Sequence, residues 1–352
     1  MADASHVSEK RLQVHWWAFL ILLGPLAVFY FGDMLPTALG NSQLVFGEVA
    51  LKSQVDALEL AARMRYVAAT LLYWAVAIGV LGLFLFDLLT RHGLYSRLMA
   101  AGAGVVAFAI FVLLSINRPP WVASYRTYEL MGADLFDAVL AERRVDACTG
   151  SFPFRDGCDL EGAWFVLETL QGAMDLPNVA SVIALILGMV LALSRFEGAP
   201  ALTTPEGLRD EAGALAEAQL TVRRYLYCTG AMLTIGMAQL LAYIKWPHGL
   251  IEDSTAADAY GELVMSVALF RGIYFSVIIL SFYLPTSLVL LKRIRDFNHA
   301  LGKSDDAVTE PITEDFDLSH PGSAQALRSV LAIVSPILVG AVGSAWGMPL
   351  FN

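Results

Sequence analysis

An all-α bundle of membrane-spanning helices is the fold class this sequence predicts, and three observations carry it. Gly272 to Leu291 is twenty residues without a charge, the length a helix needs to cross the hydrocarbon of a bilayer. Five more charge-free runs, of seventeen to twenty-one residues, recur along the chain. Of all 352 residues, 57% are hydrophobic and 16% charged, against about 25% charged in soluble domains. The mean hydropathy of +0.60 agrees.

Orientation follows from the last of these runs. Lys292, Arg293 and Arg295 close one end and Glu262 precedes the other, so the basic bias places the Lys292 end in the cytoplasm. Alternating the remaining runs from there puts ten Lys or Arg near cytoplasmic ends and four near outer ends. The expectation is a multi-pass protein of the inner (plasma) membrane with both termini cytoplasmic. Much of the net charge of -10 falls in the segments assigned to the outside, which argues against a nucleic-acid partner.

Taken in order, the first span is Trp16 to Gly32, after Lys10 and Arg11 and before Asp33. Its seventeen apolar residues exceed the core of a cleavable signal peptide, so it reads as an anchor. Asn41 to Arg65 is a connector with helical apolar spacing at the outer surface. Tyr66 to Phe86 and Leu98 to Asn117 form the second and third spans, joined by a tight cytoplasmic hairpin with two arginines. Small residues four apart in the third span, such as Ala100 and Gly104, mark a close helix approach.

Arg118 to Asp175 is the longest hydrophilic stretch, with ten acids against five arginines, and is expected to form a helical cap outside. Within it, Thr127 to Arg144 reads as one helix and Gly162 to Met174 as a short amphipathic helix on the membrane surface. Cys148 and Cys158 bracket nine residues there, a spacing that allows a disulfide-closed loop in an oxidising compartment. Cys228, inside a span, is expected to stay free.

Leu176 to Ser194 is the fourth span, with Pro177 in its first turn. Thr204 followed by Pro205 and Glu206 is a helix start, and nothing breaks that helix before the fifth span, Tyr225 to Ile244. Lys245-Trp246-Pro247 ends it, and Asp253-Ser254 caps the helix that leads into the sixth span, Gly272 to Leu291. Ser329 to Asn352 is uncharged but interrupted by Pro336, Gly340, Gly343, Gly347 and Pro349. It is read as a helix on the cytoplasmic side rather than a seventh span. The chain thus divides into 1–117 with three spans, the 118–175 cap, 176–295 with three spans, and a 296–352 cytoplasmic tail.

No ionisable side chain falls at the middle of a span, which counts against proton-coupled relays. All six histidines lie outside the spans, which leaves no pair to ligate an intramembrane haem. No phosphate loop, zinc-protease, nucleophile-elbow or dinucleotide motif is present. The acids Asp134 and Asp137, and the cluster of Asp156, Asp159 and Glu161, read as solvated surface, so neither a metal nor a cofactor is expected.

Arg271 is the most informative polar residue, because it stands at the outer edge of the sixth span and must find water or a partner there. Asp33, at the same predicted depth, is the expected partner. Tyr274, Ser276 and Ser281 in the sixth span and Gln239 in the fifth complete the candidate ligand-contacting or pore-lining set. These features fit a non-enzymatic channel or transport-like protein, a homo-oligomer with the fifth and sixth spans at its centre. The alternative is a scaffold or sensor whose outer cap binds a protein or lipid partner.

Overall fold

The computed structural model describes residues 12–39, 52–53, 55–116, 163–196, 204–302 and 323–345, and among these described residues it holds seven long helices and a two-stranded ribbon. A 3-10 segment, Trp16–Leu22, leads into α1, Leu23–Leu39; α2 is Val55–Arg91 and α3 is Leu94–Ile116. After these come α4, Ala163–Leu191; α5, Pro205–Ile244; α6, Ser254–Leu301; and α7, Ser323–Ala345. Five of them, α2, α3, α5, α6 and α7, hold stretches long and apolar enough to cross a membrane. The apolar runs Trp16–Gly32 and Pro177–Leu191 are shorter and pack in the same bundle.

Helix boundaries follow local chemistry. Thr204 caps α5 by accepting from the Gly207 N–H at 3.2 Å, with Pro205 in the first turn, where a missing amide hydrogen costs nothing. Asp253 caps α6 by accepting from Thr255 and Ala256. Both starts stand where the sequence puts them.

The two ends of the bundle are distinct. At one end β1, Leu12–Gln13, pairs antiparallel with β2, Arg195–Phe196, and Leu12 also bridges to His92 in the α2–α3 turn. Ser96 secures the strand, donating to the Leu12 carbonyl and accepting from the Val14 N–H. At the opposite end Lys52 bonds to the carbonyls of Leu250 and Gly249, while the buried Tyr260 donates to the Ile244 carbonyl at 2.7 Å. Segments that the charge bias assigns to one side of the membrane therefore meet at one end of the bundle.

Two expectations need correction. The surface helix Gly162 to Met174 and the fourth span are one element, because α4 runs unbroken through Pro177. A proline removes one backbone bond, and a helix held by its neighbours absorbs that loss. The tail is the larger difference. Helix α7 packs lengthwise against α5 and α6, so the apolar tail run is part of the bundle, and Leu12 and Gly343 stand at opposite ends of it.

Residues taken as breakers are what seat α7. A Cβ on Gly272 would lie 2.8 Å from the Pro336 carbonyl oxygen, and one on Gly340 would lie 2.6 Å from the Ala268 carbonyl oxygen. Glycine at both positions lets the backbones touch. Pro336 cannot bond the Ala332 carbonyl, so Ser335 donates to it at 3.0 Å and Thr234 of α5 donates to Ser335 at 2.8 Å. Lys245 reaches the Gly343 carbonyl at 2.5 Å, a cation at the C-terminal end of a helix.

The Cys148–Cys158 pair, the Thr127 to Arg144 helix and the acids proposed as surface lie outside the described residues, as do residues 118–162 of the cap that the scaffold reading requires. Cys228 is free.

Candidate functional site

The buried apolar residues fall into two clusters. One, with Tyr225, Phe282 and Phe297, fills the end near the ribbon; the other, with Trp246, Ile251 and Tyr260, fills the end near Lys245. Between them the packing opens into a cavity of about 320 Å³, bounded by α1 to α6. That volume lies at the lower end of the range of roughly 300–1,000 Å³ for small-molecule sites.

Its wall is polar at one level and apolar at the next. Tyr66 of α2, Asn178 of α4, Gln239 and Tyr243 of α5, and Arg271 and Tyr274 of α6 line it toward the Lys245 end. Leu22, Ile186, Leu233 and Ile278 line it deeper. Seven residues separate Arg271 from Ile278, so the wall passes from charged to hydrocarbon over about 10 Å of helix. Tyr73 donates a hydrogen bond to Asn178 and ties α2 to α4 at the wall. The Phe29 and Phe111 rings, 4.9 Å apart, close the side between α1 and α3.

Arg271 is buried, and its guanidinium carbon stands 5.6 Å from the centre of the Tyr274 ring, one turn away on α6. A guanidinium keeps its charge in such a site and offers five N–H donors in a fixed fork. The wall of the described residues therefore combines one lasting positive charge with tyrosine and amide groups, above a hydrocarbon floor.

Of the six residues expected from sequence, Arg271, Tyr274 and Gln239 line this cavity. Ser281 instead donates to the Ile278 carbonyl at 2.7 Å, and its own carbonyl faces Gly24 of α1. Ser276, buried, lies one turn beyond Gly272 on the face that meets α7. The Asp33 side chain, and with it the expected pair with Arg271, lies outside the described residues. Tyr66, Tyr73, Asn178 and Tyr243 are additions, since their separate places in the sequence give no sign that packing brings them together.

A second concentration of charge holds the ribbon end. Asp87 of α2, buried, pairs with Arg224 and accepts from the Tyr225 hydroxyl at 3.1 Å on α5. Arg91 pairs with Glu217 at 2.5 Å. Arg293 of α6 binds Glu211 of α5 through two nitrogens, at 3.0 and 3.1 Å, and also donates to the carbonyls of Leu193 and Ser194 after α4. One guanidinium thus joins three helices. His92 sits in the turn beside them with Nδ1 3.3 Å from the Asp87 carbonyl and Nε2 3.5 Å from that of Leu191. Burial lowers its pKa below the ordinary 6.5, against the opposing pull of those carbonyls and of the Asp87 and Glu217 carboxylates. The space among these groups is only about 20 Å³, enough for a water but not a substrate. This end is a clasp.

Fold and site together define the class: an all-α, multi-pass membrane protein with a cavity inside its helix bundle. Comparison with protein-family models, with curated proteins and with solved structures finds no match.

Proposed function

We propose that this is a non-enzymatic, transport-like membrane protein whose ligand-handling centre is the cavity within each protomer. The observation that carries this reading is the cavity itself, an opening between two closely packed clusters with convergent polar groups at one level. An opening of this size with polar groups converging at one level and apolar side chains at the next has the form of a small-molecule site. Helix α7 of the same chain covers one face of α5 and α6, and the cavity lies within the bundle. The pore expected at the centre of an oligomer thus gives way, in this reading, to a path through each copy. Homo-oligomers remain compatible with it, because the cavity is complete without a second chain.

Proteoliposomes test the reading. Liposomes loaded with benzenesulfonate and other small organic anions should release them faster with the protein than without it. Ile278→Trp, which fills the cavity floor, should bring release down to the level of empty liposomes while the variant still inserts and elutes as the parent does. Equal release with and without the plug would overturn the proposal.

A further inference from the structure

Resting on the reading of the cavity as a ligand site, we propose that its ligand class is a small aromatic compound of one or two rings with a hydrogen-bond acceptor oxygen on a ring substituent, as in an aryl ketone or an aryl sulfonate. The side-chain amide of Asn178 reads the oxygen, and the rings lie between Phe111 and the aliphatic lining.

Asn178 is singled out by its bonding. Its Oδ1 accepts from the Tyr73 hydroxyl, and Tyr73 is itself buried, so the amide is held in one orientation. The amide nitrogen has no hydrogen-bond partner among the described residues, and Asn178 borders the cavity. An N–H donor against a mostly apolar wall is costly until an acceptor meets it. That selects a ligand that brings an oxygen lone pair over one that brings only hydrocarbon. The other polar groups of the wall, Tyr66, Gln239, Tyr243, Arg271 and Tyr274, are each engaged by further groups of the chain. Arg271 stands 6.0 Å from the Phe270 ring centre and 5.6 Å from that of Tyr274. Docking of the oxygen therefore depends on Asn178 and not on that charge.

Register places an aromatic ring at the same depth. Gly104 of α3 packs against Ile183 and Leu187 of α4, and the two helices run in opposite directions, since α3 leaves the ribbon end and α4 returns to it. Phe111 lies seven residues past Gly104, while Asn178 lies five before Ile183 and nine before Leu187. At about 1.5 Å per residue the ring and the amide share one level. Phe29 is 4.9 Å from Phe111, and the pair offers a flat ligand an aromatic face. The cavity of about 320 Å³ is about twice the ~150 Å³ that admits benzene, which sets the size at two rings or at one ring and a short substituent.

The full chain in lipid nanodiscs provides the test, with two probes of one shape: 2-acetylnaphthalene, which carries the acceptor, and 2-isopropenylnaphthalene, which replaces the carbonyl oxygen by a methylene. At matched concentrations in the bilayer both should raise the melting temperature saturably, the ketone with about fivefold or greater affinity, the worth of one hydrogen bond. Asn178→Leu, which keeps the bulk and removes the amide, should bring the two probes to equal affinity by weakening the ketone alone. Unchanged binding of the hydrocarbon in that variant shows that the cavity keeps its shape. Ile278→Trp should weaken both probes alike.

Equal affinity of the two probes in the parent, no saturable effect of either, or a ketone preference that survives Asn178→Leu would overturn the ligand class. Release of benzenesulfonate that Ile278→Trp blocks would then still support transport through the cavity. Conversely, a ketone preference that depends on Asn178 in a protein that releases nothing supports the ligand class and refutes transport. If Asn178→Leu does not fold, the comparison of the probes in the parent and the loss of both in Ile278→Trp decide the matter on their own.

Discussion

Asp87 shows how a single residue at the rim of a span acquires a structural task. Its carboxylate is buried against Arg224 and the Tyr225 hydroxyl, and a buried charge that loses its partner is costly. Arg224→Gln should therefore lower stability by about 3 kcal/mol, read as a fall in melting temperature in detergent. Combining it with Asp87→Asn should cost less than the two changes summed, since each removes the same bond; strict additivity would show that the pair is not coupled. His92 beside it gives a pH dependence. Its pKa is lowered by burial, so on acidification the unfolded chain takes up the proton first. The stability it leaves intact above about 6.5 is lost as pH falls through the window beneath. Melting temperature should drop between about pH 7 and pH 5.5, and His92→Gln should flatten that drop; an unchanged slope would place the titration elsewhere. Sequence exposes such residues unevenly. Arg271 was legible because a charge beside twenty apolar residues has few places to go, whereas Asn178 and Tyr73 became wall residues only through the packing of α2 against α4. Ser276 and Ser281 have the right chemistry, but helix phase turns them toward α7 and α1.

Elements were legible in proportion to how little they depend on neighbours. The apolar runs within α2, α3, α5 and α6 stand alone as spans by length and charge, and the caps at Thr204 and Asp253 are local bonds, so a reading of one segment at a time finds them. The helix α4 needed tertiary support to pass through Pro177, and α7 needed it still more. Judged alone, a run with Pro336, Gly340 and Gly343 is a poor helix; judged against α5 and α6, its glycines are contact points and its proline is served by Ser335 and Thr234. Two outcomes check this packing. In a Cys228→Ser background, Thr234→Cys with Ser335→Cys should cross-link on mild oxidation, because the native hydroxyls are 2.8 Å apart. Gly272→Leu should force α7 away, cost about 1–3 kcal/mol by overpacking, and reduce the cross-link yield. A full yield in the leucine variant would mean that α7 does not depend on that approach.

At the scale of the whole molecule, the two ends of the bundle can be ordered by charge. Arg91, Arg224 and Arg293 gather at the ribbon end with Leu12 and His92, and Arg97 and Arg195 belong to the same turn and strand. The opposite end holds Lys52, Lys245 and the aromatic residues Trp246 and Tyr260. Basic residues collect on the side that stays in the cytoplasm, and tryptophan and tyrosine mark an interface, so the prediction is a cytoplasmic ribbon end. Helix α7 then decides where the chain leaves. Its Ala332 lies beside Gly230, its Pro336 beside Gly272, and its Gly343 is held by Lys245, a progression from the middle of α5 to its Lys245 end. A helix that follows that path is predicted to cross toward the Lys245 end. Reporters active only beyond the cytoplasm should therefore work when fused after Thr255 and after Ala345, and stay silent after Gly207. Silence after Ala345 with activity after Thr255 would place α7 back on the cytoplasmic side. Activity after Gly207 would reverse the bundle as a whole.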